Sequence, residues 1–279
     1  MCTFFSLVSD GRGSPYYFDA KLRKQILKKK SNYEDADSHT SIADYFHING
    51  GLKNIIIDVN KERIDDKVNK YEYNPLLKTF VVDQINVSND STQIEKFCNG
   101  LNFKTIVPEL IVHPIVHPFK DLNCKKIDTK DIQNLIKWDS VGDSVRGSVW
   151  DSVGDSVGDS VRDSVWDSVG DSVWDSVWAS VWDSVRDSVW GSVRGSVRGS
   201  VRGSVRDSVY GYISSFFNLD KWGYIKHKKG ENPFQPCIDL WNKGIVPSFD
   251  GTTWRLHAGP KAEVIYKITK EELNKMEIK

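Results

Sequence analysis

Apolar and β-branched residues fall in short runs at both ends of this chain, and between them a strict four-residue beat takes over. Thr3 to Ser9 and Tyr16 to Phe18 are aromatic and β-branched runs on either side of Asp10-Gly11-Arg12-Gly13, the pattern of a hairpin. Asp19 to Lys30 sets Leu22, Ile26 and Leu27 on one side of a short basic helix. Lys78 to Asn86 (KTFVVDQIN) predicts a strand, and Asp90 to Leu101 a helix ending near Gly100. Pro108, Pro114 and Pro118 keep Ile106 to Phe119 extended, because a proline ring excludes the helical partner bond. Residues 1–127 thus read as an α+β N-terminal domain. Asp128 to Trp138 predicts a helix, capped by Asp128 or Thr129, that leads straight into the repeats.

The beat runs from Asp139 to Tyr210 as eighteen tandem units of the form (Asp/Gly/Ala)-Ser-Val-(Gly/Arg/Trp/Tyr). Ser and Val are invariant in all eighteen copies. Position one is Asp twelve times, Gly five times and Ala once; position four is Arg seven times, Trp six times, Gly four times and Tyr once. Two fixed and two drifting positions imply two constrained surroundings and two open ones. On an α-helix a four-residue step turns about 400°, so the Val column drifts about 40° per unit and circles the axis within about nine units. One straight strand fails as well, since strands rarely exceed about ten residues. A β-solenoid satisfies the pattern: Val points into a narrow core, Ser fits an inner or corner position, Asp suits the bend, and position four faces solvent. Gly211 to Phe217 (GYISSFF) keeps the phase, with Ile213 and Phe217 where Val would be, as a hydrophobic plug for the open end. The expected fold class is therefore mainly β, with a tetrapeptide-repeat β-solenoid over 128–217.

Residues 218–279 read as a small C-terminal β-hairpin and helix module. A helix over Cys237 to Lys243 stops at Gly244, and a hairpin of Val246 to Phe249 and Trp254 to His257 turns on Asp250-Gly251. A strand spans Ala262 to Ile268, and Thr269 with Glu272 forms a capping box.

The array resembles the pentapeptide-repeat proteins, which are square right-handed β-helices, in pattern alone; its unit is one residue shorter and uses Val in place of Leu or Phe. The MCTFFSLVSDG start, the DSVx array, and the GYISSFF and VPSFDGTTWRLH segments also look like a group of uncharacterised bacterial and bacteriophage proteins, and that resemblance implies no activity. Asp143 to Gly158 and Asp159 to Trp174 match at 14 of 16 positions. Such a block reads either as coils of four units, stacking Trp150, Trp166 and Trp182, or as recent slippage of a twelve-base repeat. Under slippage, point mutation alone interconverts Gly, Arg and Trp at position four, and Asp, Gly and Ala at position one.

Charge changes this picture only through its layout. The chain is neutral, with 38 basic and 38 acidic residues, yet Asp139 to Trp190 holds eleven Asp against three Arg, and Gly191 to Tyr210 holds four Arg against one Asp. The basic end adjoins Lys221, Lys226, Lys228 and Lys229. No apolar run approaches the roughly 20 residues that span a bilayer. The start lacks the pattern of a secretory signal, and Cys2, Cys98, Cys124 and Cys237 form no CxxC pair. A cytoplasmic protein with reduced thiols and no membrane partner is expected.

Catalytic chemistry finds little to work with. Cys2 is the one candidate nucleophile: with Met1 removed, its own amine would act as base, as in N-terminal-nucleophile hydrolases. Met-Cys-Thr resembles the start of bile-salt hydrolases, but their Gly-Arg-Asn-x-Asp pattern is replaced here by Tyr17-Phe18-Asp19-Ala20. His113 and His117 have the spacing that binds metal on a helix, which the following prolines exclude. His39 stands beside Asp37 with no identifiable nucleophile, and Lys28-Lys29-Lys30 reads as a solvated face. No cofactor or metal is implied. The expectation is a non-enzymatic interaction or scaffold protein whose array presents Trp150, Trp166, Trp174, Trp178, Trp182, Trp190, Arg194, Arg198, Arg202 and Arg206 to a protein partner or to its own copies. The alternatives are nucleic-acid binding or mimicry, since one Arg per four residues can track phosphates, and a Cys2 hydrolase.

Overall fold

The computed structural model describes residues 5–22, 25, 38–58, 61–148, 161, 181–186, 193, 202–223 and 225–276, and of residues 143–148, 202–204 and 206 the backbone alone. Contacts divide the chain into two units, the first carrying the described residues up to Val112 together with Val181, and the second the remaining described residues from His113 onward.

In the first unit β1 (Phe5–Ser9) and β2 (Pro15–Tyr16) form the expected hairpin. β3 (Asn69–Asn74) pairs with β1 on one side and with β4 (Thr79–Gln84) on the other, giving an antiparallel sheet of order β2-β1-β3-β4. Helix α1 (His39–Asn49) begins at Ser38, whose hydroxyl accepts from the Ser41 amide at 3.1 Å. It buries Ile42 and Ala43 with Val8, Phe18, Leu52, Ile64 and Val68. Phe103 lies edge-on to Phe5 and stacks on Tyr73, and α2 (Ser91–Asn99) adds buried Ile94 and Cys98. β1 and β3 are buried along their whole length, whereas β4 is exposed at five of its six residues. Asp90 precedes α2, but its carboxylate serves the sheet: it accepts from Ser9, from Gly13 N at 2.8 Å, from Tyr71 at 2.6 Å and from Asn69 at 3.0 Å. Four donors match what a buried carboxylate needs, and although burial pushes its pKa up, those bonds hold it below the usual value.

The second unit is built on α3 (Thr129–Ser148), α4 (Arg202–Ile213), α5 (Gln235–Asn242) and an antiparallel sheet of β5 (Ile245–Phe249), β6 (Thr253–Ala258) and β7 (Glu263–Thr269), followed by α6 (Lys270–Asn274). The hairpin turning on Asp250-Gly251, with Gly251 at φ +101°, and the Thr269–Glu272 capping box both occur where the sequence puts them. Residues 103–119 hold no α-helix, as the prolines require.

The repeats are helical where they are described, so the β-solenoid and the mainly-β fold class are overturned; the described fold is mixed α/β. Both α3 and α4 run into the array, and residues 181–186 are helical as well. The drift of about 40° per unit applies to Val taken alone. Each Val is preceded by an invariant Ser, and the pair supplies positions i+3 and i+4 of the next turn. Val205, Ser208, Val209, Tyr212 and Ile213 follow the spacing i, i+3, i+4, i+7, i+8, and all are fully buried. Val181, Ser184 and Val185 repeat the start of that stripe. Over two or three units a drift of about 40° each stays inside a stripe more than about 100° wide. Ile213 and Phe217 are buried, but within the helices and sheet of the second unit and not as the end plug of a solenoid. In α3 the stripe is Asp131, Asn134, Leu135, Trp138 and Asp139, so the array enters with position one buried and leaves with the Ser-Val pair buried.

Where α3, α4 and α5 converge, Gly211 has no room for a side chain: a Cβ there would lie 3.0 Å from Cys237 Sγ and 3.1 Å from Trp138 Cη2. Gly211→Leu is expected to cost about 1–3 kcal/mol by overpacking. In Gly211→Ala the strain is offset by the roughly 1 kcal/mol that Ala gains over Gly in a helix. Urea unfolding followed by tryptophan fluorescence compares the two; equal midpoints for wild type and Gly211→Leu would contradict the packing.

Candidate functional site

The array is rooted in the second unit by polar bonds that its sequence pattern does not announce. Asp128 and Asp131 cap α3 reciprocally, each carboxylate accepting the other's amide at 3.1 and 2.7 Å. Lys243, just past α5, lies 2.7 Å from Asp128 and 2.5 Å from Asp131. Partial burial disfavours its charge, yet the two carboxylates prevail and raise its pKa to about 12. Asp139, the first residue of the array, is buried; it accepts from Trp254 Nε1 at 3.0 Å on β6 and lies 3.4 Å from Lys270 Nζ. At the exit, Ser208 Oγ donates to Pro247 O at 2.8 Å on β5. Tyr212 stacks on Trp241 with ring centroids 4.7 Å apart, and its oxygen accepts from Val116 N at 2.9 Å.

Of the residues expected to bind a partner, Trp182 is half-buried and stacks on Tyr210 at 5.0 Å, with the ring planes 14° apart. Position four at these two units therefore contacts another unit instead of facing solvent. Arg202 and Arg206 fall in α4. Trp150, Trp166, Trp174, Trp178, Trp190, Arg194 and Arg198 lie outside the described residues, as does Cys2. Asp183 and Arg186, positions one and four of a single unit, are exposed and pair with each other at 3.2 Å.

The histidines take separate roles. His113 stacks on Phe216 at 4.0 Å, and its Nε2 lies 3.0 Å from Ser215 Oγ. His117 Nδ1 accepts from Phe119 N at 3.2 Å. His39 opens α1, with Nε2 3.0 Å from Tyr71 O and Nδ1 3.6 Å from Asp83. No group of three or more metal-binding side chains occurs among the described residues. Burial pushes the Cys98 thiol up to about 12 and that of Cys237 higher still, which leaves both unreactive at neutral pH.

One pair resembles catalytic machinery and escaped the sequence reading. Ser248 on β5 and His257 on β6 sit diagonally across the hairpin, Ser248 Oγ 2.7 Å from His257 Nε2, while His257 Nδ1 lies 3.1 Å from Ala262 O. With Nδ1–H donating to the carbonyl, Nε2 accepts the serine proton, the alignment of a nucleophile with its base. Ser248 has no exposed surface and His257 is 4% exposed, so a substrate atom has no approach to Oγ. The pair ties β5 to β6 and to the turn before β7. The Asp250-Gly251 turn was the available signal, since it sets the register that brings the two residues together.

Comparison with protein-family models, with curated proteins and with solved structures finds no match for this chain.

Asp139→Ala leaves the Trp254 indole N–H buried without its acceptor, a loss of about 1–3 kcal/mol. Asp183→Ala, the same repeat position on an exposed surface, should stay within about 0.5 kcal/mol of wild type; urea titration of both variants reads the contrast. Burial depresses the His257 pKa below 6.5, more than the Ala262 carbonyl restores, with Arg255 adding to the depression. Above that value the ring is neutral folded or unfolded. Below it the unfolded chain takes up the proton first, so stability falls as pH drops from about 6.5 toward the folded value. The stability lost between pH 7.5 and 5 should shrink in His257→Gln, measured by denaturant unfolding at both pH values.

Proposed function

We propose that this is a non-enzymatic interaction or scaffold protein whose repeat array presents its variable positions to a protein partner or to further copies of itself. One observation carries the reading. In the described interior of the array the invariant pair is buried, at Val181, Ser184 and Val185, while Asp183 and Arg186 are outside. The variable positions of that unit are thus open to a partner, and across the array the variation is confined to Asp, Arg, Trp, Gly, Tyr and Ala. Trp and Arg are the residues that most often carry binding energy at protein interfaces. The segregated charge, acidic to Trp190 and basic beyond, offers complementary ends to a second copy. The reading includes a cytoplasmic location, supported by the unpaired thiols of Cys98, Cys124 and Cys237. Among the described residues no helix is long and apolar enough to cross a membrane.

Replacing Trp150, Trp166, Trp174, Trp178 and Trp190 together by Ala is expected to weaken association at least about tenfold, as loss of interface anchors does. Trp182 is left in place because it packs on Tyr210. Sedimentation velocity measures self-association. An unchanged assembly state and unchanged affinity for co-purifying protein would overturn the proposal. Binding of DNA or RNA that weakens steeply with salt would replace it, because phosphate contacts release counterions.

A further inference from the structure

The residues that bracket the array are in contact. Trp138 immediately precedes Asp139, Gly211 immediately follows Tyr210, and a Cβ on Gly211 would stand 3.1 Å from the Trp138 ring. The two ends of the array therefore meet at one point of the second unit.

Each flank is also held by residues outside the array. On the way out, Lys243 bonds Asp131, and Trp254 and Lys270 hold Asp139. On the way back, Ser208 bonds Pro247 O and Tyr212 stacks on Trp241. Closed, anchored ends are the condition under which a protein accepts inserted chain, because closure entropy grows only with the logarithm of the added length.

The sequence bears a record of such change. Asp143 to Gly158 and Asp159 to Trp174 agree at 14 of 16 positions, as duplication of a four-unit block leaves them. A unit of four codons is gained or lost in frame. It also nearly preserves helical phase, turning the chain about 40° past a full turn, whereas two residues turn it about 200°.

We propose that the array is a length-adjustable insertion: whole units can be added or removed while the second unit keeps its fold, so repeat number sets the extent of surface displayed. The displayed surface belongs to the interaction reading above and rests on it; the tolerance to length does not.

Three deletions in the full chain test this: Asp151–Gly154, Asp151–Gly158 and Asp151–Ser152. Thermal unfolding should place the four- and eight-residue deletions within about 3 °C of wild type. The two-residue deletion, which breaks the Ser-Val phase, should fall well below them. A four-residue deletion as damaging as the two-residue one overturns the proposal. Sedimentation of the folded variants addresses the other reading separately: association that declines with repeat number supports display by the array. Association unchanged in variants that fold counts against the interaction reading and leaves the insertion standing.

Discussion

The close approach of α3 and α4 at Trp138 and Gly211, against Cys237 of α5, is the constraint on which the second unit depends. It joins the two ends of a 72-residue array and puts both under the same sheet and helix. Around it the large side chains lock in sequence: Trp138 edge-on to Phe234, Phe234 against Trp222, Tyr212 flat on Trp241. Trp241 Nε1 in turn bonds Val116 O at 2.9 Å, which draws the proline-rich segment over the same core. A glycine at the crossing is what lets three helices meet at this distance. Without that contact the two flanks would have no common seat.

Energetics explain why the repeats need such a seat. Asp, Ser, Val and Gly each cost roughly 0.5–1 kcal/mol relative to Ala in a helix. Burying one Val per unit returns about 1.5–3 kcal/mol. A unit of four is therefore close to break-even, and an isolated helix of this composition has little reason to form. Where α3 and α4 are helical they draw on contacts outside the repeat: Leu135 and Trp138 before it, Tyr212, Ile213 and Phe216 after it. Helical structure in these repeats is conferred by packing.

The first unit shows a different limit. β3 reads Asn-Lys-Tyr-Glu-Tyr-Asn, and nothing in that string announces a central strand, yet all six residues are buried. Lys70 is tolerated there because Asp65 meets its ammonium at 3.1 Å. Asp65 is itself held by Thr40 at 3.1 Å and by Arg63. His39, beside Asp37 in sequence, instead faces Tyr71 and Asp83, 32 and 44 positions away. Each of these polar residues looks solvated until its partner is known, and the partners come from other elements. The hairpins, the proline-rich segment, the capping box and α2 were legible because their causes are local: turn glycines, ring constraints, and a hydroxyl three residues from a carboxylate.

The sequence by itself determined the number and spacing of the repeats, which two of every four positions are constrained, the segregation of charge along the array, and the turns and caps that punctuate the chain. Tertiary structure decided what the constrained positions face. A Ser-Val pair every four residues is compatible with an inward column of a solenoid and with one stripe of a helix. The surfaces offered by Trp138, Trp241 and β5 select the helix by burying Ser208, Val209, Tyr212 and Ile213 together. Periodicity reports that a face is buried. Only the partner surface, brought in from distant parts of the chain, settles which backbone geometry presents it.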